Sequence, residues 1–204
     1  MYNLKVDDRV VFFAPASYAE FTAVPANKTH VLPTSLKPGD GVAAFMQGLT
    51  ALTLIREAYP VQKGDWVLAH AAAGGVGLLL LQLLRATGAN IIATASTAEK
   101  LELAKEYGAD YLVNYKEEDV VKRVKEITGG EGVAVVLDST GKDQFENDLE
   151  VTARKGTIVS YGNSVSITRN PVCDVVQSLL FVYESPDTFP LLVFLDWLPK
   201  VCQL

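Results

Sequence analysis

The run Trp66-Val67-Leu68-Ala69-His70-Ala71-Ala72-Ala73-Gly74-Gly75-Val76-Gly77 constrains this chain more than any other. A compact apolar strand enters a glycine-rich bend and passes directly into Leu78-Leu79-Leu80-Leu81-Gln82-Leu83-Leu84, a run suited to a buried helix. The spacing is G-x-G-x-x-G with Ala72 in the first position. Gly74 lets a pyrophosphate approach the backbone with no Cβ in the way, and Gly77 lets the helix lie close on the strand. The free N–H groups at the helix start carry partial positive charge and suit an anion. Glycines alone are a weak signal, because they also serve simple tight turns. Here they follow a strand, open a helix and begin a longer series, and that context points to dinucleotide binding.

The series extends to about residue 163. Strands are expected at Trp66–Ala71, Asn90–Ala95, Tyr111–Asn114, Val133–Asp138 and Thr157–Tyr161, with helices at Val76–Thr87, Ala98–Tyr107, Glu118–Thr128 and Gln144–Ala153. Gly88, Gly108, Gly129, Gly130 and Gly156 stand where helix ends and turns call for positive φ. Strands alternating with helices predict an α/β chain, a Rossmann-type doubly wound parallel sheet over residues 41–164. Residues 1–40 read instead as a β remnant, with an apolar run at Val10–Phe13, alternation over Tyr18–Val24 and four punctuating prolines. So short a ribbon cannot bury a core and must pack on something else. Residues 165–204 form a divergent tail in which Val175–Tyr183 fits either a sixth strand or a buried helix.

Composition enters by exclusion. A net charge of −6 argues against a nucleic-acid surface. The apolar stretch from Val175 to Leu198 is broken by Glu184, Pro186, Asp187, Pro190 and Asp196, so it falls short of the ~18 residues of a membrane span. With two histidines and two cysteines, His30, His70, Cys173 and Cys202, no cluster has zinc-ligand spacing, so no metal site is expected. The N-terminus lacks the apolar core of a signal peptide, and a cytoplasmic location is the expectation.

The choice of nucleotide rests on the tip of the second strand. NAD sites carry an acid there for the ribose 2′-hydroxyl. This strand ends Thr94-Ala95-Ser96-Thr97, followed by Lys100. Two hydroxyls and an ammonium in place of an acid suit a 2′-phosphate, which favours NADPH. Ser96 and Thr97 also read as a helix cap and Lys100 as a solvated lysine, and a cap is itself an anion site. Glu99 and Glu102 would oppose a phosphate if they turned inward. His70 reads as a polar residue at a strand end, with nothing nearby in sequence to make it a base or a ligand.

Gly48-Leu49-Thr50-Ala51, the glycine-rich bend, Gly108-Ala109-Asp110-Tyr111, Val113-Asn114-Tyr115, Thr128-Gly129-Gly130-Glu131-Gly132-Val133, Asp138-Ser139-Thr140-Gly141 and Val159-Ser160-Tyr161-Gly162-Asn163 come in an order that resembles the NADPH:quinone oxidoreductase (zeta-crystallin-like) family of the medium-chain dehydrogenase/reductase superfamily. The resemblance covers residues 5–164 and implies that residues 4–34 are the end of a GroES-like catalytic domain. It implies Lys100 and Tyr115 at the 2′-phosphate, Gly74, Gly75, Val76 and Gly77 at the pyrophosphate, and Gly162, Asn163 and Thr50 toward the nicotinamide. Family members begin earlier, so most of the catalytic lobe is absent here, and no catalytic acid or base can be named. The implied activity is zinc-independent transfer of reducing equivalents from NADPH to a quinone or enone, with a homodimer formed along a sheet edge. The alternative is an NADPH-binding module without turnover. A zinc alcohol dehydrogenase is opposed by the missing ligands, and a methyltransferase by the missing acid near Ser96.

Overall fold

The computed structural model describes residues 4–15 and 17–162 and the backbone of 181–184. Strands β1 (Val10–Phe12) and β2 (Thr29–Val31) pair antiparallel as a two-stranded ribbon. A helical segment follows, made of α1 (Pro38–Ala43) and α2 (Leu49–Thr53), each running into a wider π-helical turn, at Ala44–Gly48 and Leu54–Ala58. Then come β3 (Trp66–Ala69), α3 (Gly75–Thr87), β4 (Asn90–Ala95), α4 (Ala98–Glu106), β5 (Tyr111–Asn114), α5 (Val120–Ile127), β6 (Val133–Asp138), α6 (Lys142–Val151), β7 (Thr152–Ser160) and β8 (Phe181–Glu184).

The main sheet has the order β5-β4-β3-β6-β7-β8. Its first five strands are parallel, and β8 joins antiparallel to β7. The chain starts at the centre, steps outward through β4 and β5, then returns to continue on the far side of β3. That reversal opens a crevice above the carboxyl ends of β3 and β6, where ligands of doubly wound sheets bind.

Strand periodicity divides the core into two layers. Val67, Ala69, Ile91, Ala93, Val135 and Leu137 face Leu80, Leu81 and Leu84 of α3 and Ala51 and Leu54 of the earlier helical segment. Leu68, Ile92, Val136 and Ile158 face the other way, onto Val120 and Val124 of α5 and Val151 at the end of α6. By the same alternation His70, Thr94 and Asp138 fall on the α5/α6 side. Helix α3 ends at Gly88, whose φ of 83° satisfies the left-handed terminus.

The structure alters several sequence expectations. Strand β3 ends at Ala69 rather than Ala71, because Ala71 takes a φ of 48° and starts the bend. The alternation at Tyr18–Val24 forms no strand: Tyr18 and Phe21 are both exposed, and the partner of β1 is Thr29–Val31. The ribbon does pack on a neighbour, through a ring contact between His30 and Phe45 at 5.5 Å. The helices over 38–58 were not expected, since short segments separated by π-turns blur the 3.6-residue period. Positive φ near the start of β7 falls on Lys155 (63°), not Gly156. Gly156 is needed for space, because a Cβ there would sit 2.9 Å from the carbonyl oxygens of Ala153 and Val133. Of Val175–Tyr183 only Phe181–Tyr183 lies within the described residues, in β8; the rest of that segment and most of the 165–204 tail lie outside them. No helix among the described residues is long and apolar enough to cross a membrane.

Ile92 is fully buried at the centre of the second layer. Ile92→Ala is expected to lower unfolding free energy by ~2–5 kcal/mol in urea titrations. Exposed Val42→Ala should change it by less than ~0.5 kcal/mol.

Candidate dinucleotide cleft

The bend between β3 and α3 is built almost wholly from backbone. The His70 amide donates to the Leu137 carbonyl of β6 at 3.0 Å, and the Ala72 amide to the Thr94 carbonyl of β4 at 3.2 Å. Gly74 closes the turn by donating to the Ala71 carbonyl at 2.9 Å, and its own carbonyl accepts from Leu78. Neighbouring strands on both sides thus hold Ala71 in its left-handed conformation. A Cβ on Gly77 would stand 2.5 Å from the Ala72 carbonyl oxygen and 2.7 Å from that of Ala71, so only glycine lets α3 start this close to the strand. No side chain caps the helix at Gly74, which leaves the first-turn amides of Gly75, Val76 and Gly77 without intrahelical partners at the head of the crevice. Such a cradle fits the pyrophosphate of a dinucleotide.

Sequence reasoning missed Gln47, whose carboxamide lies where a methyl on Gly75 would stand. It comes from the helical segment before β3, and an exposed glutamine there carries no pattern by which to find it. Thr50 follows on α2, packed beside α3, and its hydroxyl donates to the Met46 carbonyl at 2.8 Å.

The opposite wall is the turn after β6. The Asp138 carboxylate, 1% exposed, accepts from the Thr140 amide at 2.7 Å, the Thr140 hydroxyl at 2.6 Å and the Gly141 amide at 3.0 Å. Tyr161, at the end of β7, donates its amide to the Asp138 carbonyl. Burial pushes its phenol up to about 12, a hydrogen bond with Ser139 partly opposing and Asp138 adding. Gly162 lies beside Ser139, whose carbonyl oxygen would be 3.2 Å from a Cβ there. Asn163 lies outside the described residues.

The 2′-phosphate candidates gather at the tips of β4 and β5. Ala95 pairs with Asn114, and the Tyr115 amide donates to the Ala95 carbonyl at 3.2 Å, which sets Tyr115 next to Ser96. Ser96 and Thr97 are half-buried; Thr97 caps α4 by accepting from the Lys100 amide at 3.4 Å. Lys100 is exposed and, among the described residues, in no ion pair. The Glu99 carboxyl is held below the usual carboxylate range by the backbone N–H of Glu99 itself and by the Thr97 side chain, so this acid rests at the helix start.

His70 differs from the sequence expectation. It is buried, with Nε2 2.7 Å from Asp148 Oδ1 of α6 and Nδ1 2.8 Å from the Thr94 hydroxyl. A partner seventy-eight residues away is invisible to local reading, but one signal was present. Asp148 lies three residues after Phe145 and three before Val151, on the inward stripe of α6. Among the described residues no group of three or more His, Cys, Asp or Glu could hold a metal ion.

The pair makes stability depend on pH. Burial opposes charge on His70, but the Asp148 carboxylate and its hydrogen bond, helped by Asp138, raise the imidazole above its ordinary 6.5. Burial also pushes Asp148 above 3.8, with His70 only partly offsetting it. In both cases the folded state holds the proton more tightly than the unfolded chain. The His70 contribution is therefore complete below 6.5 and lost as pH rises through the folded value. Urea midpoints measured from about pH 6 to about pH 9 should fall, and Asp148→Asn should flatten that fall. A parent midpoint that rises over this range would contradict the assignment.

Three comparisons bear on this architecture. Residues 75–182 match the family model described as zinc-binding dehydrogenase. Over 164 residues the chain is 43% identical to quinone oxidoreductase 1 of Escherichia coli, covering 79% of this chain and 50% of that protein. Over 163 residues it is 47% identical to a probable quinone oxidoreductase of Schizosaccharomyces pombe, covering 79% and 49%. A crystal structure of Escherichia coli quinone oxidoreductase complexed with NADPH superposes with a TM-score of 0.79 at 41% identity, over 83% of this chain and 53% of that one. The chain spans about half the length of the curated relatives it matches. With a doubly wound sheet, an uncapped glycine cradle and a matching family model, the chain belongs to the zinc-binding dehydrogenase family, and over about half of their length it is similar to quinone oxidoreductases.

Proposed function

We propose that this chain is the NADPH-binding part of a quinone oxidoreductase that reduces a quinone or related enone. The observation that carries the reading is the uncapped start of α3, set against β3 by Gly77 at the reversal of strand order. The solved Escherichia coli relative, complexed with NADPH, supports the choice of nucleotide.

When bound, NADPH supplies hydride from its nicotinamide ring to an electrophilic acceptor. The residues described here bind and orient. Gly75, Val76 and Gly77 offer backbone amides to the two bridging phosphates, and Gly74, whose own amide closes the turn, adds a surface without a Cβ. Ser96, Thr97, Lys100 and Tyr115 meet the 2′-phosphate, Lys100 by charge and the others by hydroxyl groups. Thr50, Gly162 and Asn163 belong to the nicotinamide side. The Thr50 hydroxyl, turned back to Met46, would have to leave that bond to donate to a ligand but can accept from one as it stands. The division into residues 1–40, 41–164 and 165–204 belongs to the same reading, as do a cytoplasmic location and a pairing of two chains along a sheet edge.

Lys100 decides the nucleotide preference. Titrations with NADPH and NADH should show tighter binding of NADPH, and Lys100→Ala should remove most of the difference, ~1.5–3 kcal/mol for a charge-assisted contact. Equal affinities in the parent would contradict the 2′-phosphate assignment. NADPH oxidation with a simple quinone, followed alongside, separates a turning-over enzyme from a module that only binds.

A further inference from the structure

The His70–Asp148 pair has no part in the cofactor contacts above, yet it joins the two walls of the cleft. His70 is the residue immediately before Ala71, where the glycine-rich bend begins. Its side chain leaves the sheet on the α5/α6 face and meets Asp148, which is fully buried on α6. That helix starts from Gly141, the last residue of the Asp138–Gly141 turn that forms the opposite wall. On its other nitrogen His70 meets the Thr94 hydroxyl, and the Thr94 carbonyl in turn holds the Ala72 amide of the bend. One imidazole therefore links the bend, β4 and α6.

This arrangement is costly for packing alone. Two ionisable side chains are removed from water, and Asp148 Oδ2 is buried without a hydrogen-bond partner among the described residues. Burying such a pair in place of apolar groups of similar size seldom adds stability; the geometric definition it gives is its attested use. An aliphatic contact between α6 and the sheet could slide, whereas a 2.7 Å hydrogen bond has one length and one direction.

We propose that His70 and Asp148 are positioning residues that set the separation between the Ala71–Gly77 bend and the Asp138–Gly141 turn, and so the fit of a ligand that spans both. The proposal rests on the reading of this crevice as an NADPH cleft. It differs from a purely structural role in predicting which ligands are affected. Adenosine 2′,5′-bisphosphate reaches only the tip of β4 and the strands beside it. NADPH also crosses to the β6 side, and only NADPH depends on the spacing.

The test compares both ligands on the full chain by calorimetric titration well below the melting temperature, with Asp148→Ala, Asp148→Asn and Thr94→Val. Asp148→Ala should weaken NADPH roughly tenfold while leaving adenosine 2′,5′-bisphosphate within about twofold of the parent. Asp148→Asn keeps an acceptor for Nε2–H and should restore NADPH to within about threefold. Thr94→Val deprives Nδ1 of its partner and should weaken NADPH selectively, which keeps the test available if Asp148→Ala does not fold. Unchanged NADPH affinity in the folded variants, with only melting temperature lowered, would overturn the proposal. Equal weakening of both ligands would also overturn it. A parent that binds neither ligand would remove the cleft reading itself, an outcome distinct from either of these.

Discussion

The structure depends on how closely α3 approaches the end of β3. With carbonyl oxygens of Ala71 and Ala72 within 2.7 Å of where a Gly77 Cβ would stand, any side chain would force the helix away from the strand. Close approach brings Leu80, Leu81 and Leu84 down onto the central strands and completes the first core layer. It also places the first-turn amides at the mouth of the crevice, with no side-chain cap among the described residues. The same constraint thus serves packing and binding. Donors that would be a defect elsewhere are fixed here by a buried helix, ready for an anion at no further cost in order.

Much of this was legible in the sequence because it is local. Asn90–Ala95, Tyr111–Asn114 and Val133–Asp138 begin and end as expected, since each is a short apolar run bounded by turn residues. The helices between them differ from expectation by no more than a residue or two at each end, where caps such as Thr97 and Asp119 mark the start. The N-terminal region was harder. An alternating pattern runs over Tyr18–Val24, but with Tyr18 and Phe21 both exposed the alternation has no consequence. The helical segment over 38–58 was hidden for the opposite reason: it buries residues at irregular spacing because its turns widen twice.

The site was legible where it is backbone and obscure where it is side chain. Gly74 to Gly77 are a sequence motif and also a geometry. The pairing of His70 with Asp148 is a geometry only, created when the chain returns from β5 to the far side of β3 and lays α6 across the sheet. Charge follows the same division. Lys100 stands exposed at the edge, where its field reaches a ligand through water, while Asp138, His70 and Asp148 lie in the interior, where their interactions are stronger and determine shape. Glu99 stands at the start of α4, where its own backbone N–H and the Thr97 side chain hold its carboxyl below the usual carboxylate range.

The central claim is that the open end of α3 receives the pyrophosphate. Backbone amide spectra of the 15N-labelled protein, recorded through an NADPH titration, address it at atomic resolution. Saturable shifts are expected to centre on the amides of Gly75, Val76 and Gly77, larger than those at the opposite, amino ends of β3 and β6 around Gly64 and Gly132. NADPH that binds while leaving those three amides unmoved would contradict it.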